Sequence, residues 1–358
     1  MTEPKLVHRS VSRFVPSTAW REVIGPGEEQ LFDDFANRVI VAKQKEVAAQ
    51  GDGTVLRGFH AKLHAGLVGE FQVLDDLPEY ARFGVFSEPR VFPAVIRFSN
   101  GMPSRERDKG PDTRGIAIKL IGVPGDKLPP SNKDDVTQDF LATSRSTIST
   151  VRNAGQFLAF IEASRKPWLL PFNLARAVGA YESLRIIFAL LRSVVLGRVR
   201  SVATEHYSST APIKFGPYAV KFTVRPAAGT EPPARRRRTA NFLREELTDR
   251  LRKGDLLFDF VVQFYVDENR TPIEDTSVRW KPKNTPFVRV AQLRIPSCNL
   301  DDPLIKARSD VIDRYLFFPW HSIEEHRPLG NTNRSRLATY QASATLRGHS
   351  PEPTSLPR

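Results

Sequence analysis

The stretch LLFDFVVQFYVD, from Leu256 to Asp267, most limits what this chain can become. Phe258, Phe260, Val262 and Phe264 recur at every second position, so an extended backbone puts all four on one face. YAVKFTVRP (Tyr218 to Pro226), PFVRVAQLRIP (Pro286 to Pro296), VGEFQVL (Val68 to Leu74) and VFPAVIRFS (Val91 to Ser99) carry the same β-branched and aromatic character between turns. Helical patterns come in separate runs and do not alternate strictly with the strands. That order argues for an α+β fold around an antiparallel sheet and against a doubly wound parallel one. At 358 residues, 40% hydrophobic and with 23 Phe, the chain can fill a substantial core.

The net charge of +13 suits a partner with negative charge: nucleic acid, an anionic membrane surface, or an acidic cofactor or substrate. The run Arg235 to Arg238 has no interleaved aromatics and so offers bases no stacking platform; it reads as a solvated loop, and no specific nucleic acid is expected. A single cysteine, Cys298, excludes an internal disulfide and a Cys-based zinc or iron–sulfur site within one chain. The N-terminal MTEPKLVHRSVSRF has no apolar signal core, and a cytoplasmic protein is expected. The longest apolar stretch, Trp168 to Val199, is broken by Pro171, Arg176, Glu182, Arg185, Arg192 and Arg198. No window in it approaches the ~20 apolar residues of a membrane span. It reads as helices packing on a core, with an interfacial helix on anionic lipid as the alternative.

Residues 1–50 read as an arm plus one helix, with Leu31, Phe35, Val39 and Ile40 at helical spacing and Gly51 and Gly53 as the stop. Residues 51–347 read as one domain with a helical section at about 154–203, and 348–358 as a disordered tail. Between Asp139 and Arg165 the pattern is mixed, with a helix around Ala154 to Ala163. In TANFLREELTDRLRKG, Leu243, Leu247 and Leu251 predict a short helix that Gly254 ends. Arg114 to Ile121 alternates Ile116, Ile118 and Leu120 with Gly115 and Ala117, so one face allows either close approach by a flat ligand or tight sheet packing.

The segment NRSRLATYQASATLR, Asn333 to Arg347, carries the chemistry. Arg336 and Tyr340 are four residues apart and Arg347 follows seven later, so a helix brings all three near one stripe. A positive charge one turn from a Tyr favours the phenolate, and a phenolate is a known ligand of haem iron. By themselves these residues read as a surface helix with two arginines and a half-buried Tyr.

RGFHAK (Arg57 to Lys62), VIRFSN (Val95 to Asn100), DTRGIAIKL (Asp112 to Leu120) and RLATY, taken in that order, resemble the catalase family over roughly residues 54–347. The resemblance implies a catalase-like antiparallel β-barrel with helices packed outside and haem b between barrel and helices. It makes Tyr340 the axial iron ligand, Arg336 its charge partner and His60 the distal acid–base residue oriented by Ser99. Arg57, Arg97 and Arg347 become the cations for the haem propionates, and Phe157 the Phe against the haem face. The implied substrate is a small-molecule peroxide; the oligomeric state is left open.

The chain also departs from that family. Where catalases pair the distal His with an Asn, counting back from Phe157 reaches Arg145, flanked by Ser144 and Ser146. Phe59, before His60, is bulkier than the usual residue, and no C-terminal dinucleotide-binding extension is recognisable. The chain thus looks closer to the smaller catalase-related haem proteins, of peroxidase type. An Arg near a distal His favours heterolysis of a peroxide, so peroxidase turnover exceeding catalase turnover is expected. A haem-binding homologue without turnover, and a fatty-acid hydroperoxide-converting enzyme of allene oxide synthase type, are the alternatives.

Overall fold

A computed structural model of the chain describes residues 14–105, 107–110, 112–144, 150–196, 199–233 and 238–357. Nine antiparallel strands form one sheet: β1 (Leu63–Val73), β2 (Val91–Asn100), β3 (Arg114–Ile121), β4 (Thr137–Ser144), β5 (Tyr207–Ser208), β6 (Ile213–Phe215), β7 (Tyr218–Pro226), β8 (Leu256–Phe264) and β9 (Val288–Ile295). Their order is β5-β4-β3-β2-β1-β9-β8-β7-β6, and β5 also pairs with β7. That last pairing closes eight strands into a barrel and leaves β6 as a short hairpin partner of β7. Closure satisfies the edges that an open sheet would leave unpaired.

The alternation in β8 places Phe258, Phe260 and Phe264 inward, each almost fully buried. Phe260 meets Phe222 at 5.0 Å, Phe140 at 5.1 Å and Phe71 at 5.3 Å between ring centroids. Each such side chain contributes roughly 1.5–3 kcal/mol by leaving water, so an interior filled with rings makes the barrel the stable frame. α6 (Phe242–Lys253) adds Leu243, Leu247 and Leu251 to the same core, at the spacing its sequence predicts.

Helices cover the outside. α1 (Glu28–Asp34), a π-wound turn over Phe35–Val41 and α2 (Ala42–Gln50) follow one another without a break. A second group comprises α3 (Ala154–Ser164), α4 (Leu170–Val178) and α5 (Ala180–Leu196). Asn153 caps α3, accepting from the Gln156 backbone N–H at 3.0 Å. α7 (Pro303–Arg314) lies on β1, where Gly66 leaves room for Ile312, and α8 (Asn331–Arg347) lies on the π-wound turn.

Two expectations need correction. Thr137–Ser144 is a full strand, although its pattern reads as mixed. Its outward Asp139 holds the buried Lys119 at 2.8 Å, so polar residues stand where an apolar face would signal a strand. The C-terminal segment, expected to be disordered, lies against the domain. Glu352 reaches Lys119 at 2.7 Å and Thr137 at 2.9 Å, and the Ser350 N–H donates to the Arg314 carbonyl. A buried lysine needs anions around it, and the tail supplies one of them.

Candidate active site

α8 carries one wall. Arg336 Nη2 donates to the Tyr340 hydroxyl at 3.2 Å, and the guanidinium carbon lies 5.4 Å from the Tyr340 ring centre. Asn333 Oδ1 accepts from Arg336 Nη1 at 3.1 Å, and the Asn333 amide donates to the Pro212 carbonyl, so the arginine is held from behind. Phe318 stacks on the Tyr340 ring at 6.0 Å. At the start of the helix Arg334 meets Glu22, Glu28 and Glu274 at 2.8–3.1 Å, which ties α8 to the N-terminal segment.

A second wall is the loop before β1, which Gly58 ties to α8. His60 has a left-handed backbone, φ 59°, which is uncommon for a residue other than glycine. Three contacts hold it there. Its N–H donates to the Gly101 carbonyl at 3.1 Å, its carbonyl accepts from Arg97 Nη2 at 2.9 Å, and its Nδ1 lies 3.1 Å from Ser99 Oγ. Burial, reinforced by Arg97, lowers the imidazole pKa to about 3, so the ring is neutral at neutral pH. The small residue in β3 explains the fit: a Cβ at Gly115 would stand 2.5 Å from His60 Nδ1 and 2.9 Å from Ser99 Oγ. Of the two sequence readings of that strand, close packing is therefore what Gly115 serves, and the group it admits is the His60 ring.

Gly58 joins the two walls. Its N–H donates to Ser343 Oγ on α8 at 3.2 Å, and a Cβ there would lie 2.5 Å from Ile40. Phe157 reaches this wall from α3, 5.6 Å from Phe35 and 6.0 Å from Phe59.

At the rim, Arg57, Arg97 and Arg347 converge on Asp313, a residue of α7. Arg97 bonds its carboxylate at 2.9 Å, while Arg57 Nη2 donates to the Asp313 and Tyr315 carbonyls at 2.6 and 2.7 Å. Burial opposes Asp313 ionisation, but Arg97 and Arg57 outweigh it and hold the carboxyl below its ordinary value. Burial and repulsion from Arg97 and Arg347 push Arg57 well below the usual arginine range, and burial also lowers Arg347. Arg347 Nη2 is buried with no hydrogen-bond partner. Three cations and one carboxylate leave a local surplus of two charges, and a cavity of about 400 Å³ opens beside Arg57, Arg347 and Asp313. Such a cluster calls for further anions. The two carboxylates of a haem match that need in number and chemistry, so the residues present fit the group.

The sequence-predicted residues His60, Ser99, Arg57, Arg97, Arg336, Tyr340 and Arg347 are thus linked in one site. Arg57 and Tyr340 lie close enough to interact electrostatically, as do His60 and Arg336. Arg145 lies outside the described residues, as do Arg235 to Arg237; the Arg238 guanidinium sits 5.6 Å from the Phe242 ring. His64, four residues after His60, is fully buried, with Nδ1 4.0 Å from the Asp108 carboxylate. Asp313 was not singled out by sequence reasoning; nothing around it in SDVIDR signals a partner for arginines more than two hundred residues away.

The fold is that of the catalases. Catalase A from Saccharomyces cerevisiae superposes with a TM-score of 0.62 at 14% identity, covering 94% of this chain and 68% of that one. A fungal catalase gives 0.60 at 16% identity, over 82% of this chain and 59% of that one. A bacterial catalase gives 0.61 at 16% identity, over 97% and 67%. The chain therefore spans about three fifths to two thirds of the length of these catalases. No family model matches it. In sequence it is 28% identical over 266 residues to a catalase-related peroxidase of Mycolicibacterium paratuberculosis, covering 71% of this chain and 78% of the relative. Fold and sequence together bear out the resemblance to the catalase family, close to the catalase-related peroxidases.

Proposed function

We propose that the chain is a haem-dependent peroxidase that reduces hydrogen peroxide or organic hydroperoxides. The observation that carries this reading is the assembly of an Arg-paired Tyr, a neutral buried His and an anion-seeking arginine cluster in one site of a catalase fold. Tyr340 would ligate the iron of haem b, and Arg57, Arg97 and Arg347 would hold its carboxylates. Haem bound there supplies the redox-active iron.

The chain's own residues then do three things. Arg336, hydrogen-bonded to the Tyr340 oxygen, would offset the negative charge which that oxygen carries as an iron ligand. Ser99 and the Arg97–carbonyl contact fix the His60 ring. With its proton on Nδ1, towards Ser99, the ring offers the Nε2 lone pair as a base. Nε2 would take the proton from one peroxide oxygen and return it to the other, so that the departing oxygen leaves as water or an alcohol and not as an anion; the two electrons for that cleavage would come from the haem and be restored by an external reductant.

The test is to load the protein with haem and compare dye oxidation with oxygen release. Dye oxidation that outpaces oxygen release supports the peroxidase reading, and the reverse overturns it. Failure to take up haem at all overturns the whole proposal. The rings of Phe35 and Phe157, packed with that of Phe59 just before His60 in the sequence, favour a second reading, in which a fatty-acid hydroperoxide is converted without an added reductant. Product analysis separates the two: conversion of allene oxide synthase type dehydrates the hydroperoxide, leaving one peroxide oxygen in an epoxide and the other in water with no reductant consumed, whereas reduction yields the alcohol.

A further inference from the structure

The helices α4 and α5 have a use that the site does not explain. Their inner side is packed: Leu174 and Ile186 are buried in one apolar cluster with Val151 and Ala163. Their outer side is apolar as well. Tyr181, Leu184, Phe188 and Leu191 follow each other at spacings of three and four, which makes a single stripe along α5. Phe188 is 69% exposed and Tyr181 75%, while Phe172 on α4 is 61% and Trp168, just before it, 77% exposed. A surface helix normally turns one apolar stripe inward and a polar face to water. Two apolar faces on one helix mean that the outer one is covered by something else.

The charge of the same stretch of sequence says what covers the stripe. From Ser164 to Arg200 the sequence holds seven Lys and Arg against one acid, Glu182. That acid is already matched, by Arg152 at 2.8 Å and Arg185 at 2.9 Å. A second copy docked face to face would bring the same surplus of positive charge against itself, which disfavours it. A bilayer with anionic headgroups would meet both features at once: apolar and aromatic side chains enter the boundary of the acyl chains while the basic residues stay at the phosphates. Among the described residues no helix is long and apolar enough to cross a membrane, so the contact is with one leaflet.

We infer that the α4–α5 hairpin is a membrane-docking surface that binds anionic lipid bilayers. The platform is coupled to the site, because α3, packed on α4, carries Phe157 against Phe59, the neighbour of His60. If the peroxidase reading holds, this surface would present the site to hydroperoxides of membrane lipids; the docking itself does not depend on that reading.

Flotation with vesicles of phosphatidylcholine alone, or mixed equally with phosphatidylglycerol, tests it on the full chain with or without haem. Strong binding to the mixed vesicles is expected, weakened by salt, with a blue shift of tryptophan emission that Trp168→Phe abolishes. The triple substitution Phe172→Ser, Leu184→Ser, Phe188→Ser should lower the partition coefficient at least tenfold without changing the circular dichroism, since all three side chains are exposed. Lys166→Glu with Arg176→Glu leaves the apolar face intact and should weaken binding to the mixed vesicles only. Equal binding to neutral and anionic vesicles, or undiminished binding by the triple variant, overturns the inference. So does a dimer that the triple variant abolishes in a protein that ignores vesicles. Because flotation needs no peroxide and is read with or without haem, its failure is distinct from failure of the enzymatic reading.

Discussion

The two walls of the site are held in different ways. On α8, Arg336 and Tyr340 meet because they are one helical turn apart, and any stable helix over Asn331–Arg347 would bring them together. On the other wall, His60 is placed by residues that are distant in sequence: Ser99 in β2, Gly115 in β3 and the carbonyl of Gly101. Its backbone also sits in a region that costs roughly 1–2 kcal/mol for a residue with a Cβ. One wall therefore rests on local geometry and the other on strand register. Changes that spare the fold should act cleanly on the first wall, whereas the second should fail through displacement.

Tyr340→Phe makes the sharpest cut between them. It removes one hydrogen bond from a half-buried ring and keeps the contact with Phe318. The thermal midpoint should move little, while the visible spectrum of the haem-loaded protein changes or is lost, and peroxide turnover falls by roughly a thousandfold or more. An unchanged spectrum would remove Tyr340 as the ligand and leave Arg336 as a packing residue.

Gly115→Ala probes the register-built wall. The added methyl would meet His60 Nδ1 and Cε1 at 2.5 and 2.6 Å, so the ring must move out of line with Ser99. Haem uptake should survive and turnover should drop about a hundredfold, with a stability loss of roughly 1–3 kcal/mol from overpacking. If haem binding and turnover both persist, His60 is not the acid–base group.

The contrast also explains what was legible in the sequence. Alternation sufficed for β2, β3, β7 and β8, because their inward residues are apolar and their turns are marked. Spacing sufficed for Arg336 and Tyr340. By contrast β4 is masked by a buried ion cluster, in which Asp139 meets Lys119, accepts from the Phe318 N–H at 2.8 Å and lies 3.4 Å from His321. Asp313 gains meaning only when the fold gathers Arg57 and Arg97 around it. The left-handed backbone at His60 has no local signature either. The proposed role of that histidine rests on the resemblance; spacing alone suggests none.

Acid should weaken the barrel and its loop before it weakens α8. Burial lowers His326, which lies among Phe86, Phe140 and Phe215 in the barrel, to about 4, and His60 to about 3. His64 is shifted in the same direction. In the unfolded chain these residues take up protons near pH ~6.5. The folded form resists protonation, so stability is full above that value and declines as the pH falls towards 4 and then 3. For His326 alone the loss approaches about 3 kcal/mol once the pH is below its folded value. Denaturant titrations at pH 7 and pH 4.5 should show the decline. His326→Gln should flatten part of it, while Tyr340→Phe should leave it unaltered.

The smallest effect belongs to Ser99→Ala. Ser99 is buried in β2 and its hydroxyl lies 3.1 Å from His60 Nδ1, a contact between neutral groups. Such a bond contributes about 1 kcal/mol, and the Arg97 contact to the His60 carbonyl and the Gly101 contact to its N–H remain. Turnover should therefore fall severalfold. Without Ser99 to bias the proton to Nδ1, both imidazole tautomers become accessible, and the fraction with a basic Nε2 drops. The loss should appear in turnover at constant haem content and with the peroxide KM little changed. If Ser99→Ala instead proves as damaging as Gly115→Ala, the hydroxyl holds the loop itself in place and the second wall rests on that one bond more than on strand register.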